Sequence, residues 1–106
     1  MSSTTGFTSK SKITPSITAG VVENMTIAAA NVEQSHTFPA GTVKFLLKPR
    51  GSGKIKLAHT SGNSGTSYLT IHPGSVYSSP EFRPDAYTIY FQSPVAGLEI
   101  EAESWA

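Results

Sequence analysis

Cysteine is absent from this chain of 106 residues. Disulfides, the usual support of small secreted domains, are therefore excluded. Charge is also scarce. Asp, Glu, Lys and Arg together make up 14% of the chain, against about 25% in an average domain. The deficit is not filled by a membrane segment, because no apolar run approaches the roughly 20 residues that a spanning helix needs. Met1–Lys12 lacks the apolar stretch of a signal peptide, so synthesis in a cytoplasm without export is expected. Aspartate occurs once, at Asp85, which leaves a Ser-His-Asp triad to a coincidence of folding. Helical periodicity is missing as well: the Ala-rich run Ile27–Val32 is too short and has no cap. The formal net charge of +1 implies neither a nucleic-acid nor a membrane partner.

What is present is Ser, Thr, Asn and Gly among 38% apolar residues. The length suits one domain with one core. The composition suits strands whose faces carry hydroxyls and amides. It also suits surfaces covered by neighbours, where charge is costly to desolvate. Residues 1–20 differ from the rest. They are rich in Ser and Thr, their only charges are Lys10 and Lys12, and Phe7, Ile13 and Ile17 follow no period. Such a segment buries too little to order itself. It is expected to be an extended arm held along a second chain, with Phe7 and Ile13 as anchors. Residues 21–106 form the folded domain.

From Val21 onward the pattern is short strands and turns. Strands are expected over Val22–Ala29, Ser35–Phe38, Thr42–Lys48, Lys54–Thr60, Thr66–Ile71, Ser75–Ser78, Ala86–Gln92 and Leu98–Trp105. Alternation places Val43, Phe45, Leu47, Ile55, Leu57, Ile71, Ile89, Phe91, Leu98 and Ile100 in the core. Thr42–Lys48 and Lys54–Thr60, joined by Pro49–Gly53, read as a hairpin. Seven or eight strands with regular turn signals predict an all-β domain, a small β-sandwich or jelly roll.

Candidate chemistry is sparse. His36, His59 and His72 lack the spacing of a zinc motif and read as single residues at strand ends. No G-x-S-x-G elbow exists. Glu99, Glu101 and Glu103 could suggest paired catalytic carboxylates or a calcium site. On a strand, however, this spacing puts all three on one outward face, as a solvated or interface stripe. Gly51–Lys54 departs from the phosphate-loop pattern and leads into a strand. Lys44, Lys48, Arg50, Lys54 and Lys56 give the expected hairpin a positive outer face, without the exposed aromatics of a nucleic-acid surface. A basic hairpin and an acidic terminal strand can pair within one sheet or across a subunit interface. No cofactor, metal or catalytic residue is expected, and the chain reads as a structural or binding module rather than an enzyme.

The run Gln34–Gly51, the run Leu57–Ile71 with its Pro73–Gly74 turn, and Tyr90–Pro94 together resemble small virion structural proteins of tailed bacteriophages. The resemblance covers roughly residues 21–106 and rests on texture and turn placement. It implies a capsid decoration or cement protein that stabilises the head shell, in a virion assembled in the host cytoplasm. The implied partners are the major capsid protein or other virion proteins, and further copies of the chain in a homo-oligomer. Phe7, Lys10, Lys12, Ile13, Lys44, Lys48, Arg50, Glu99, Glu101 and Glu103 are the expected partner-binding residues. Similar sandwiches serve as head–tail joining components and as tail or fibre modules that bind carbohydrate or receptors. For such a module Tyr77, Phe82 or Tyr90 would have to line a groove.

Overall fold

The computed structural model describes residues 20–106, so the expected arm, with Phe7, Lys10, Lys12 and Ile13, lies outside the described residues. Within them the chain is all-β. The strands are β1 (Val21–Thr26), β2 (Gln34–Thr37), β3 (Lys44–Arg50), β4 (Ile55–Ala58), β5 (Leu69–Ile71), β6 (Tyr77–Ser78), β7 (Thr88–Gln92) and β8 (Glu99–Trp105). Each lies within or beside a stretch read from alternation and turn residues.

Two antiparallel four-stranded sheets form, in the orders β1-β8-β3-β6 and β2-β7-β4-β5. The pairing is nested. The first strand pairs with the last, β2 with β7, β3 with β6, and the innermost pair β4 and β5 is a hairpin. One long hairpin is thus rolled up, and the contacts β3–β8 and β4–β7 seal the roll. This is a jelly roll.

The hairpin expected from Thr42–Lys48 and Lys54–Thr60 does not form. β3 and β4 lie in opposite sheets, and residues 51–54 arch between them. Alternation fixes which face of a strand is buried, and it carries no information about which strand lies alongside. The arch is built on glycine. Gly51 has φ +98°, a conformation that other residues adopt only under strain. A Cβ on Gly53 would sit 3.1 Å from both Leu98 methyl carbons.

β3 also runs further than expected, through Pro49. Phe45 directs both backbone groups toward the β6 side, accepting from Ser79 N at 2.8 Å and donating to Ser79 Oγ at 2.9 Å. Two residues per repeat carry the missing Pro49 N–H to that same side. β6 pairs only with Leu46 and Leu47, so no acceptor is lost there.

The core lies between the sheets: Ile27, Phe38, Phe45, Leu47, Ile55, Leu57, Ile71, Ile89, Phe91, Leu98, Ile100 and Ala102. Nine of the ten expected core residues are among them, while Val43, just ahead of β3, is only half-buried. Phe38 and Phe45 stack with ring centroids 4.6 Å apart. At one open side of the sandwich, His36 Nε2 on β2 lies 2.9 Å from Glu23 Oε1 on β1, tying the edge strands of the two sheets together.

Candidate functional site

The two outer faces of the sandwich differ. The loop between β4 and β5 folds back toward the second sheet. Glu33 accepts hydrogen bonds from Gly62 N (2.8 Å), Ser64 N (3.1 Å) and Ser64 Oγ (2.5 Å). Gly65 lies against the Gln92 amide, and Gln92, although outward in register, is 8% exposed. No loop is pinned in this way over the first sheet among the described residues.

The register of the first sheet sets the open face in cross-strand rows. Val22, Glu103, Leu46 and Ser78 form one row; Asn24, Glu101 and Lys48 form the next; Thr26, Glu99 and Arg50 form a third. Lys44 lies opposite Trp105 at the end of the sheet. A groove of about 490 Å³ runs over this face, with Val22, Leu46 and Val76 alternating with Lys48, Arg50, Glu101 and Glu103.

All six expected site residues of the domain therefore share one face. The open question of how the opposite charges meet is answered within the sheet for Glu101. It lies 2.7 Å from Arg50 Nε and 3.4 Å from Lys48 Nζ. The Arg50 hydrogen bond holds the Glu101 carboxyl below its ordinary pKa, against a lesser opposing effect of burial, and Lys48 adds to the lowering. Glu99 accepts from Thr26 Oγ1 at 2.7 Å. Lys54 and Lys56 do not join the cluster. They belong to the other sheet or its approach, and Lys56 Nζ lies 5.1 Å from the centre of the Tyr68 ring. The basic patch expected on one hairpin is therefore divided between two sheets.

A second concavity opens at the mouth of the sandwich, between the β3 and β6 strands and the β6–β7 loop. Phe45, His59, Tyr77, Ser79, Pro80, Phe82 and Tyr87 line a cavity of about 180 Å³. Phe82 and Tyr87 have ring centroids 4.9 Å apart, and Phe45 lies 6.2 Å from Phe82 and 6.0 Å from Tyr87. Tyr87 Oη is 2.8 Å from His59 Nδ1. Burial first, and the neighbouring Tyr77 second, push the Tyr87 phenol above its ordinary pKa. The raised pKa keeps the Tyr87 hydroxyl in its protonated form. Sequence reasoning found Tyr77 and Phe82 but also named Tyr90, which lies on β7 opposite Ser35 and Ala58 and outside this cavity. Tyr87 alternates with Ile89 and Phe91 in the sequence, and that alternation carries no sign that the sandwich opens there.

The three histidines go to separate places: His36 to Glu23, His59 to Tyr87, and His72 to an exposed turn. Among the described residues no three His, Asp or Glu side chains gather to hold a metal ion. Comparison of the chain with protein-family models, curated proteins and solved structures gives no match.

Proposed function

We propose that the chain is a structural protein of a tailed-phage virion, a capsid decoration protein that binds and stabilises the head shell. The observation that carries this reading is the open face of the first sheet. Its apolar residues Val22, Leu46 and Val76 lie beside charges that are compensated in part, with Lys48 and Arg50 both paired to Glu101. Covering such a face costs less than covering unpaired charges, because Glu101 already has cationic partners and a protein partner need supply only the remaining balance. The jelly roll supplies a rigid platform for it, with Lys44 and Glu99 toward the ends of the sheet and Glu103 between Val22 and Leu46 as charges of the sort that set orientation. The arm over residues 1–20 would extend the contact to a neighbour.

The test is co-sedimentation with phage heads stripped of this chain. The wild-type protein should saturate the heads at a fixed number of sites. A Leu46→Glu variant, which sets a carboxylate directly opposite Glu103, should remain folded and fail to bind. Equal binding by both proteins would remove the face from the reading.

One observation favours the carbohydrate- or receptor-binding alternative: Tyr77 and Phe82 do line a cavity. Carboxylate and amide side chains hold sugar hydroxyls most firmly, by charge-assisted or paired hydrogen bonds. The residues lining the cavity include no carboxylate and no amide side chain.

A further inference from the structure

The aromatic cavity at the sandwich mouth has the attributes of a socket for one apolar side chain. Its volume of about 180 Å³ is below the roughly 300–1,000 Å³ of small-molecule pockets and is of the order of a single aromatic ring. Its polar atoms are largely committed to each other. Tyr87 Oη is bonded to His59 Nδ1, and Ser79 Oγ accepts from Phe45 N. The walls thus present ring faces and edges and the Pro80 ring. Such walls favour an aromatic occupant in edge-to-face or offset contact.

The chain carries one matching residue outside the described domain. Phe7 is the only aromatic residue before Gly20. The chain leaves the fold at the right end. Gly20 lies against the Glu103 and Trp105 side chains, Trp105 pairs with Lys44, and the next residue, Phe45, lines the cavity. Two strand spacings, about 10 Å, therefore separate this exit from the socket of the same domain. The thirteen residues from Phe7 to Gly20 can span at most about 45 Å. That is several times what the chain's own socket requires, and it exceeds the width of about 30 Å expected for a domain of this size. It matches the reach to an adjacent copy.

We infer that the cavity lined by Phe45, Tyr77, Phe82 and Tyr87 receives Phe7 from the N-terminal segment of a second copy of this chain. The inference deepens the decoration reading by naming where the arm docks. It also stands alone as a statement about self-association. A string of copies linked in this way needs no new interface on the sheet face, which stays free for the shell.

The experiment mixes ¹³C-labelled and unlabelled full-length chains and records isotope-filtered NOEs, with sedimentation velocity alongside. The expected result is intermolecular NOEs from the Phe7 ring to Phe82 and Tyr87, together with self-association. Phe7→Ala should weaken that association by roughly 10- to 100-fold, the factor that burial of one ring supplies. Phe7→Leu should restore part of it. A second pair of variants guards against misfolding. His59→Trp, at the exposed rim, fills the socket and keeps the arm, while Phe7→Ala keeps the socket. Neither should associate alone, and their mixture should yield heterodimers through the one intact contact. Phe7 NOEs confined within one chain, or association unchanged by Phe7→Ala, would overturn the inference. Head binding is scored separately. Exchange of Phe7 without head binding would leave this inference standing and remove the decoration reading; head binding without Phe7 exchange would do the reverse.

Discussion

Glu33 Oε1 lies 2.5 Å from Ser64 Oγ across a separation of 31 residues. Glu33 precedes β2, whereas Ser64 sits in the loop after β4, so the contact fastens a long loop to a distant part of the chain. The hydrogen bond from Ser64 Oγ and that from Gly62 N hold the Glu33 carboxyl below its ordinary pKa, against a smaller opposing effect of burial. A depressed folded pKa favours the native state while the carboxylate is ionised. The contribution is therefore complete above the ordinary glutamate pKa, and it fades as pH falls through the lower folded value. A carboxyl ¹³C titration should place Glu33 below the ordinary glutamate value. Glu33→Ala should cost about 1 kcal/mol, the low range for a solvent-screened charged hydrogen bond. It should also speed amide exchange at Gly62 and Ser64 while leaving β8 amides unchanged.

Leu47 and Leu46 are adjacent on β3 and face opposite ways. Leu47 is fully buried, and Leu46 lies half-buried on the open face. Leu47→Ala should destabilise the domain by about 2–5 kcal/mol, and Leu46→Ala by less than about 1 kcal/mol. Urea unfolding followed by Trp105 fluorescence measures both. Equal costs would mean that β3 is turned over.

The β3–β4 arch gives two glycine substitutions with different causes. Gly51→Ala meets no atom within 4 Å but must hold φ +98°, which costs about 1 kcal/mol or more of backbone strain. Gly53→Ala has no such strain, but its methyl would press on Leu98 and on Val95 Cβ at 3.2 Å, an overpacking cost of about 1–3 kcal/mol. The Gly53→Ala, Leu98→Ala double variant should show coupling in a thermal-unfolding cycle, because the smaller side chain clears the space. Gly51→Ala with Leu98→Ala should be additive.

Removal of the segment before Thr18 should leave the melting temperature of the domain within a few degrees, because the residues from Ile27 to Ala102 already pack into a closed core among themselves. Self-association and head binding should both weaken sharply. A truncated chain that assembles as well as the full one would show that the segment is no clamp.

The sequence carried the strands and nearly all of the core because a buried face repeats every two residues, and β3, β4, β7 and β8 keep that repeat without interruption. It missed Ile27 and Phe38 for a related reason. Each falls just beyond the end of its strand, where the alternation stops, although both are buried. Partnership between strands was not legible. Arg50 and Glu101 meet because β3 lies beside β8 at a register of Arg50 opposite Glu99, a relation between residues far apart in the chain. The aromatic socket was half legible. Tyr77 and Phe82 were named, with Tyr90, as aromatics that a groove would need, whereas the parts played by Tyr87 and His59 depend on two loops converging at one end of the roll.

That convergence gives the molecule two unlike poles. The nested pairing brings Val21 opposite Ser104, so the chain's entry into the domain and its C-terminal residue emerge side by side. The aromatic socket opens at this same pole. The turns at residues 51–54, 72–76 and 93–98 lie at the other. A passenger fused after Ala106 would therefore crowd the segment that precedes Gly20. A peptide grafted into the exposed His72–Val76 turn, where Gly74 faces open space, would project from the opposite end. The second position is the one for display on a particle whose subunits are joined at the first.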